Sequence, residues 1–176
     1  MAFNANQSYS SSNQFIALRD LLYGKLPEYR FAKHPLNTSQ QMQGQLIGGN
    51  LSVLFSLLGS SSLPNPNGKI LFLEDLDEYL YHIDRMMMAL KRSGFLKNLS
   101  GILVGSFSEM KDNAIPFGKT AEEIIYDVVK EFELPVIFGF PAGHLSENYP
   151  FVLGQATNIF SEPDEMVFSQ QLPYND

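Results

Sequence analysis

The chain has 176 residues, 44% of them hydrophobic and 18% charged, with a net charge of −7 and no cysteine. That composition is enough for one buried core, and it excludes disulfides, thiolate metal sites and a cysteine nucleophile. With only 12 Lys and Arg a phosphate-neutralising surface is not expected, so neither nucleic acid nor an anionic membrane is read as a partner, and no apolar run reaches the roughly 18 residues of a membrane span.

In chain order, the start MAFNANQSYSSSNQ is polar, has no apolar h-region and is not read as a signal peptide. Ser10, Ser11 and Ser12 suggest an N-cap for a helix over residues 13–23, whose apolar stripe (Phe15, Ile16, Leu18, Leu21, Leu22) stops at Gly24. Residues 27–35 alternate as a strand does, and 37–43 read as a polar loop. A short strand at 45–47 runs into Gly48-Gly49-Asn50, followed by a helix over 51–58 and a turn-rich stretch over 60–68. Residues 69–73 are a buried strand, and 77–92 the strongest helix, with Leu80, Ile83, Met87 and Leu90 on one face. A second buried strand spans 101–107, and 110–119 form a loop. Thr120 and Glu123 make a capping box for a helix over 121–132. A third buried strand is expected at 135–140, then antiparallel strands near 151–153, 157–160 and 166–168. Strand–helix alternation followed by strands alone predicts an α/β fold, a mixed sheet flanked by helices with a β-rich C-terminal part.

Two ionisable groups follow apolar runs. Glu74 and Asp75 come after Lys69-Ile-Leu-Phe-Leu, and His144 after Val136-Ile-Phe-Gly-Phe and a Pro-Ala-Gly turn. Strand ends at one sheet edge are where α/β folds mount catalytic groups. Glu74 reads either as a cap for the next helix or a partner of Arg85, or as a carboxylate that orients an imidazole, a role for which Asp75 competes. His144 reads either as a satisfied turn residue or as a group that takes and returns a proton. Gly48-Gly49-Asn50 fits a tight turn with Asn50 as N-cap, or a close backbone approach to a ligand. The Met86-Met87-Met88 run fits core filling better than a binding surface. Arg85 is read as structural, and residues 146–148 as a loop near His144. His34, His82 and His144 show no metal-ligand spacing.

Taken together, GQLIGGNLSVLFSLLG (44–59), GKILFLEDLDEYLYHIDRMMMAL (68–90), GILVGSF (101–107) and PVIFGFPAGH (135–144) resemble the C-terminal domain of the LD-carboxypeptidases. These are serine peptidases that include muramoyltetrapeptide carboxypeptidases and the microcin C self-immunity protein. The resemblance implies a small swivelling β/β/α-type domain, with residues 1–43 as interdomain crossing plus first helix and strand, and 44–176 as the domain core. It implies that Glu74 and His144 are the acid and base of a Ser–Glu–His triad, and that Gly49 and Asn50 line the substrate cleft. No cofactor or metal is implied. The implied partners are a murein tetrapeptide in the cytoplasm, an N-terminal serine-bearing domain and a second copy in a homodimer. Ser8, Ser10, Ser11 and Ser12 lie in a polar start that resembles no nucleophile elbow. The expectation is therefore a C-terminal domain alone, inactive by itself, with an apolar face beside His144. A peptidyl-nucleotide hydrolase and a non-catalytic binding module are the alternatives; the last requires Glu74 and His144 to lie far apart.

Overall fold

The structure is a computed structural model and describes residues 13–171. The Ser10–Ser12 cap and the other N-terminal serines lie outside the described residues. The elements are α1 (Asn13–Leu22), β1 (Glu28–Ala32), β2 (Gln41–Asn50), α2 (Leu51–Ser56), β3 (Lys69–Leu76), α3 (Leu80–Arg92), β4 (Gly101–Ser108), α4 (Ala121–Val129), β5 (Val136–Ile137), β6 (Ala156–Ser161) and β7 (Glu165–Gln171). Among the described residues the seven strands form one sheet in the order β1-β7-β6-β2-β3-β4-β5. β2 to β5 are parallel neighbours, while β1, β6 and β7 pair antiparallel. This is the expected α/β mixed sheet with a β-rich finish. Among the described residues no helix is long and apolar enough to cross a membrane.

Alternation along the strands sends side chains to two separate cores. Leu71, Leu73, Ile102 and Val104 face the helices, meeting Leu54 of α2, Ile83, Met87 and Leu90 of α3, and Ile125 of α4. Met86 and Met87 are buried and Met88 partly so, as core filling requires. Ile70, Phe72 and Leu103 face the other way, where they join Phe31, Met42 and Phe168. That second core is completed by the segment after β5: Phe140 is fully buried, its ring centroid 5.5 Å from Phe31, 6.2 Å from Phe72 and 4.6 Å from Phe168. The three residues between Phe140 and His144 are thus moored in the core at one end.

Several elements differ from their sequence reading. The polar segment 37–43 is in part strand: β2 begins at Gln41, because residues 41–45 pair with 160–156 of β6. β3 continues to Leu76, so Glu74 and Asp75 belong to the strand. α3 starts at Leu80, three residues later than its apolar pattern suggested. Asp77 sits at φ +60°, donates its amide to the Ser108 carbonyl at 3.0 Å and holds Lys111 Nζ at 2.6 Å. Lys130–Phe132 tightens into a 3-10 turn, and no strand forms at 151–153. β5 is two residues long, since Gly139 at φ +81° turns the chain out of the sheet. The capping box of Thr120 and Glu123 is present.

Side chains guard both sheet edges, by capping amides at one and by charge at the other. Beside β5, Thr38 Oγ1 accepts from the Val136 amide at 2.8 Å and Asn37 Oδ1 from the Phe138 amide at 2.8 Å. On β1, Arg30 reaches Glu162 at 2.5 Å and Glu165 at 2.7 Å. These carboxylates hold the Arg30 guanidinium above its ordinary range.

Tyr29 joins β1 to the segment after His144 by donating its hydroxyl to the Pro150 carbonyl at 2.6 Å. Burial, and secondarily the nearby Tyr149, push its phenol up to about 12 from 10.0. The unfolded chain therefore ionises first as pH rises, so the contribution is complete below pH 10 and is lost on the way to 12. Urea denaturation at pH 9 and pH 11.5 should show wild type losing more stability across that interval than Tyr29→Phe does.

Candidate functional site

The four parallel strands end along one edge, and the residues singled out in the sequence meet there. Glu74 lies near the end of β3, 7% exposed. His144 arrives from the turn after Phe140. Its Nδ1 is 2.7 Å from Glu74 Oε2, although 70 residues separate the two. An ionised carboxylate is expensive to bury without a partner, and the imidazole is the one side chain bonded to Glu74 among the described residues. With Nδ1–H donating to the carboxylate, the neutral ring carries its lone pair on Nε2. Nε2 has no protein partner among the described residues, and the His144 side chain is 34% exposed. A ring anchored at Nδ1 and free at Nε2 can accept a proton from an incoming hydroxyl.

The approach of the two groups depends on Gly143. Its φ is +122°, and a Cβ there would lie 2.9 Å from Glu74 Oε2 and 2.4 Å from Ser106 Oγ. Asn148, from the loop flagged near His144, accepts the Gly143 amide at 3.2 Å. Ser146 receives the Gln14 side-chain amide of α1 through its carbonyl at 2.6 Å.

Asn50 is the β2 residue in register with Glu74. It is the expected N-cap, accepting the Val53 amide at 3.1 Å, and it also donates Nδ2 to Asp75 Oδ1 at 2.7 Å. Asp75 is 2% exposed and takes the amides of Ser52 at 3.0 Å and Leu76 at 2.9 Å as well. The two acids of the strand therefore divide: Glu74 turns to the imidazole, and Asp75 ties β2 and α2 to β3. Gly49, at φ +142°, has nothing within 4 Å of the position its Cβ would take, so the backbone is open on that side.

The remaining candidates stand apart from the pair. Glu74 does not pair with Arg85, whose guanidinium lies over Tyr81 at 4.9 Å from the ring centroid. His82 bonds Glu78 at 2.9 Å along α3. His34 Nδ1 accepts the Leu36 amide at 3.2 Å. Among the described residues no three His, Asp or Glu side chains converge as a metal site would need. Lys111 is held above its ordinary range by the Asp77 carboxylate and stitches the loop after β4 to the loop after β3.

Of the exposed large apolar residues, Val53 and Phe55 follow β2, Ile115 and Phe117 follow β4 and Leu145 follows β5, while Phe15, Ile16, Leu22 and Tyr23 lie on or just after α1 and Leu153 precedes β6. Sequence reasoning missed Ser106 and Ser108, and placed Gly143 in a turn without its contact to Glu74. The signal was present as GSFS at the end of an apolar strand, where alternate residues turn polar just as the sheet reaches its edge.

Residues 43–159 match the family described as the LD-carboxypeptidase C-terminal domain. A probable murein peptide carboxypeptidase of Bacillus subtilis is 38% identical over 116 residues, 64% of this chain and 35% of that protein. The murein tetrapeptide carboxypeptidase of Pseudomonas aeruginosa is 32% identical over 117 residues, 66% of this chain and 38% of that protein. The microcin C7 self-immunity protein of Escherichia coli is also 32% identical over 117 residues, with 33% of its length matched. In three dimensions the chain superposes on the muramoyltetrapeptide carboxypeptidase of Oxalobacter formigenes with a TM-score of 0.80 at 25% identity, covering 93% of this chain and 57% of that one. The match thus spans little more than a third of the curated relatives' length.

Two substitutions probe this geometry. Gly143→Ala should destabilise the fold by about 1–3 kcal/mol through backbone strain alone, and a crystal structure of the variant should show Nδ1 displaced from Glu74. Asp75→Ala leaves three donors without their acceptor and should lower unfolding free energy by about 3 kcal/mol in urea; a loss below about 0.5 kcal/mol would remove Asp75 from this account.

Proposed function

The chain belongs to the LD-carboxypeptidase C-terminal domain family, and on that premise we propose that it supplies the acid and base of a serine LD-carboxypeptidase acting on murein peptides in the cytoplasm. The observation that carries the reading is the 2.7 Å contact between His144 Nδ1 and Glu74 Oε2. In the proposed reaction a serine hydroxyl of a companion domain attacks the carbonyl of the L,D-amide. His144 Nε2 takes the hydroxyl proton as the C–O bond forms. It then passes that proton to the nitrogen as the C–N bond breaks, and the terminal D-amino acid leaves as a free amine. Water, deprotonated by the same nitrogen, cleaves the acyl-serine and restores the start. Glu74 keeps the ring in the required tautomer and offsets the charge of the imidazolium. Gly49 and Asn50, beside Glu74 on β2, border the substrate.

The exposed apolar side chains after β2, β4 and β5 support a companion domain that packs on this edge, since such residues collect where a partner covers them. The murein substrate class is carried over from the names of the relatives. The similarity to the microcin C7 self-immunity protein supports a second substrate class for the same pair of groups, an aminoacyl- or peptidyl-nucleotide. The contact between the two groups supports the enzymatic reading over a non-catalytic module, which expected them apart.

The isolated chain should release no D-alanine from a murein tetrapeptide above blank. Co-expressed with the part of the Bacillus subtilis relative that the match leaves uncovered, it should release D-alanine, and Glu74→Ala or His144→Ala should lower that rate by about 10³-fold or more. Turnover by the isolated chain overturns the division between domains, and a loss under about tenfold removes that residue from the relay. Profiling the reconstituted protein on a peptidyl-nucleotide separates the two substrate classes.

A further inference from the structure

β5 stops after two residues, yet His144, seven positions beyond Ile137, stands at hydrogen-bond distance from Glu74. The segment is held by a series of contacts to β4. The Phe140 amide donates to the Val104 carbonyl at 3.1 Å, and the Ser106 amide to the Ala142 carbonyl at 2.9 Å. Two residues further the backbone ladder has ended, and side chains of β4 replace it. Ser106 Oγ accepts the His144 amide at 3.0 Å, and Ser108 Oγ donates to the His144 carbonyl at 3.0 Å. The serines are two apart on one strand, so both project from the same face of β4. They engage the two sides of a single residue, leaving its backbone little freedom to rotate. Ser106 Oγ and Glu74 Oε2 also both come within 3 Å of the position a Gly143 Cβ would occupy, at 2.4 and 2.9 Å. The hydroxyl, the carboxylate and the turn meet at one point.

We propose that Ser106 and Ser108 are positioning residues. Their hydroxyls fix the His144 backbone, and through it the alignment of Nδ1 with Glu74. The inference rests on the proposed role of the pair and adds the device that aims the imidazole. Neither serine takes part in proton transfer. Without the two hydroxyls, His144 hangs from Ala142 on a glycine hinge, and its ring swings into solvent on a fast timescale.

The test is imidazole nitrogen and proton NMR on the full 176-residue chain, reading water exchange of the His144 Nδ1 proton, with His34 and His82 as internal references. Wild type should give a slowly exchanging Nδ1 proton that disappears in Glu74→Gln. Ser108→Ala, a mild change on a partly exposed residue, should speed exchange about tenfold, the weight of one hydrogen bond. Ser106→Ala should do the same or more, and Ser108→Thr, which keeps the hydroxyl, should restore the wild-type rate. The references and the melting temperature should not move in Ser108→Ala. Exchange as slow in both alanine variants as in wild type, with the signal still lost in Glu74→Gln, overturns the positioning role and leaves the catalytic reading intact. A wild-type signal indifferent to Glu74→Gln overturns that reading, and this inference with it.

Discussion

A carboxylate almost closed off from water, with one imidazole as its bonded side-chain partner, is the constraint around which this molecule is arranged. Glu74 is placed by its strand. β3 has neighbours on both sides, β2 and β4, and its own apolar residues are buried in both cores. His144 has no such strand and must be delivered. Delivery uses Phe140, sunk among the aromatic rings, as a fixed point, and Gly143, whose missing side chain lets the chain pass against the carboxylate. The rigid half of the pair is built from sheet, and the adjustable half from a short arm pinned at several places.

The neighbouring acid shows how finely the edge is divided. Asp75 differs from Glu74 by one position in the chain and one methylene, yet its oxygens are fully engaged by Asn50, Ser52 and Leu76. Alternation along a strand explains the split: successive side chains emerge on opposite faces. One acid serves the junction between β2 and α2, and the other is left for the histidine.

Much of this could be read from the residues in order. Apolar runs marked the central strands, and the Thr120–Glu123 box marked the start of α4. The acid and the histidine stood out because charged groups rarely follow such runs without a purpose. The length of β2 did not, because its first residues are polar on alternate positions and a pairing partner more than 100 residues away decides that they extend. The end of β5 was overestimated because apolar composition continues through Phe138 and Phe140, while the turn at Gly139 is a backbone property. The start of α3 was placed too early because Asp77 and Glu78 suit a first turn, whereas a contact with the β4 loop holds Asp77 in a left-handed conformation. Ser106 and Ser108 were passed over because a serine has no local pattern that tells which distant peptide it will hold.

The closed sheet margins carry a consequence for association. A strand at the border of a sheet offers unsatisfied amides and carbonyls that another polypeptide can pair with. Here the Val136 and Phe138 amides are already taken by Thr38 and Asn37, and the opposite border carries Arg30 between two glutamates. Strand addition along β5 is therefore disfavoured, and the charged cluster on β1 discourages it at the opposite border. The rim at the strand ends, with its exposed apolar side chains, stays open to recognition, whereas the sides of the sheet are guarded.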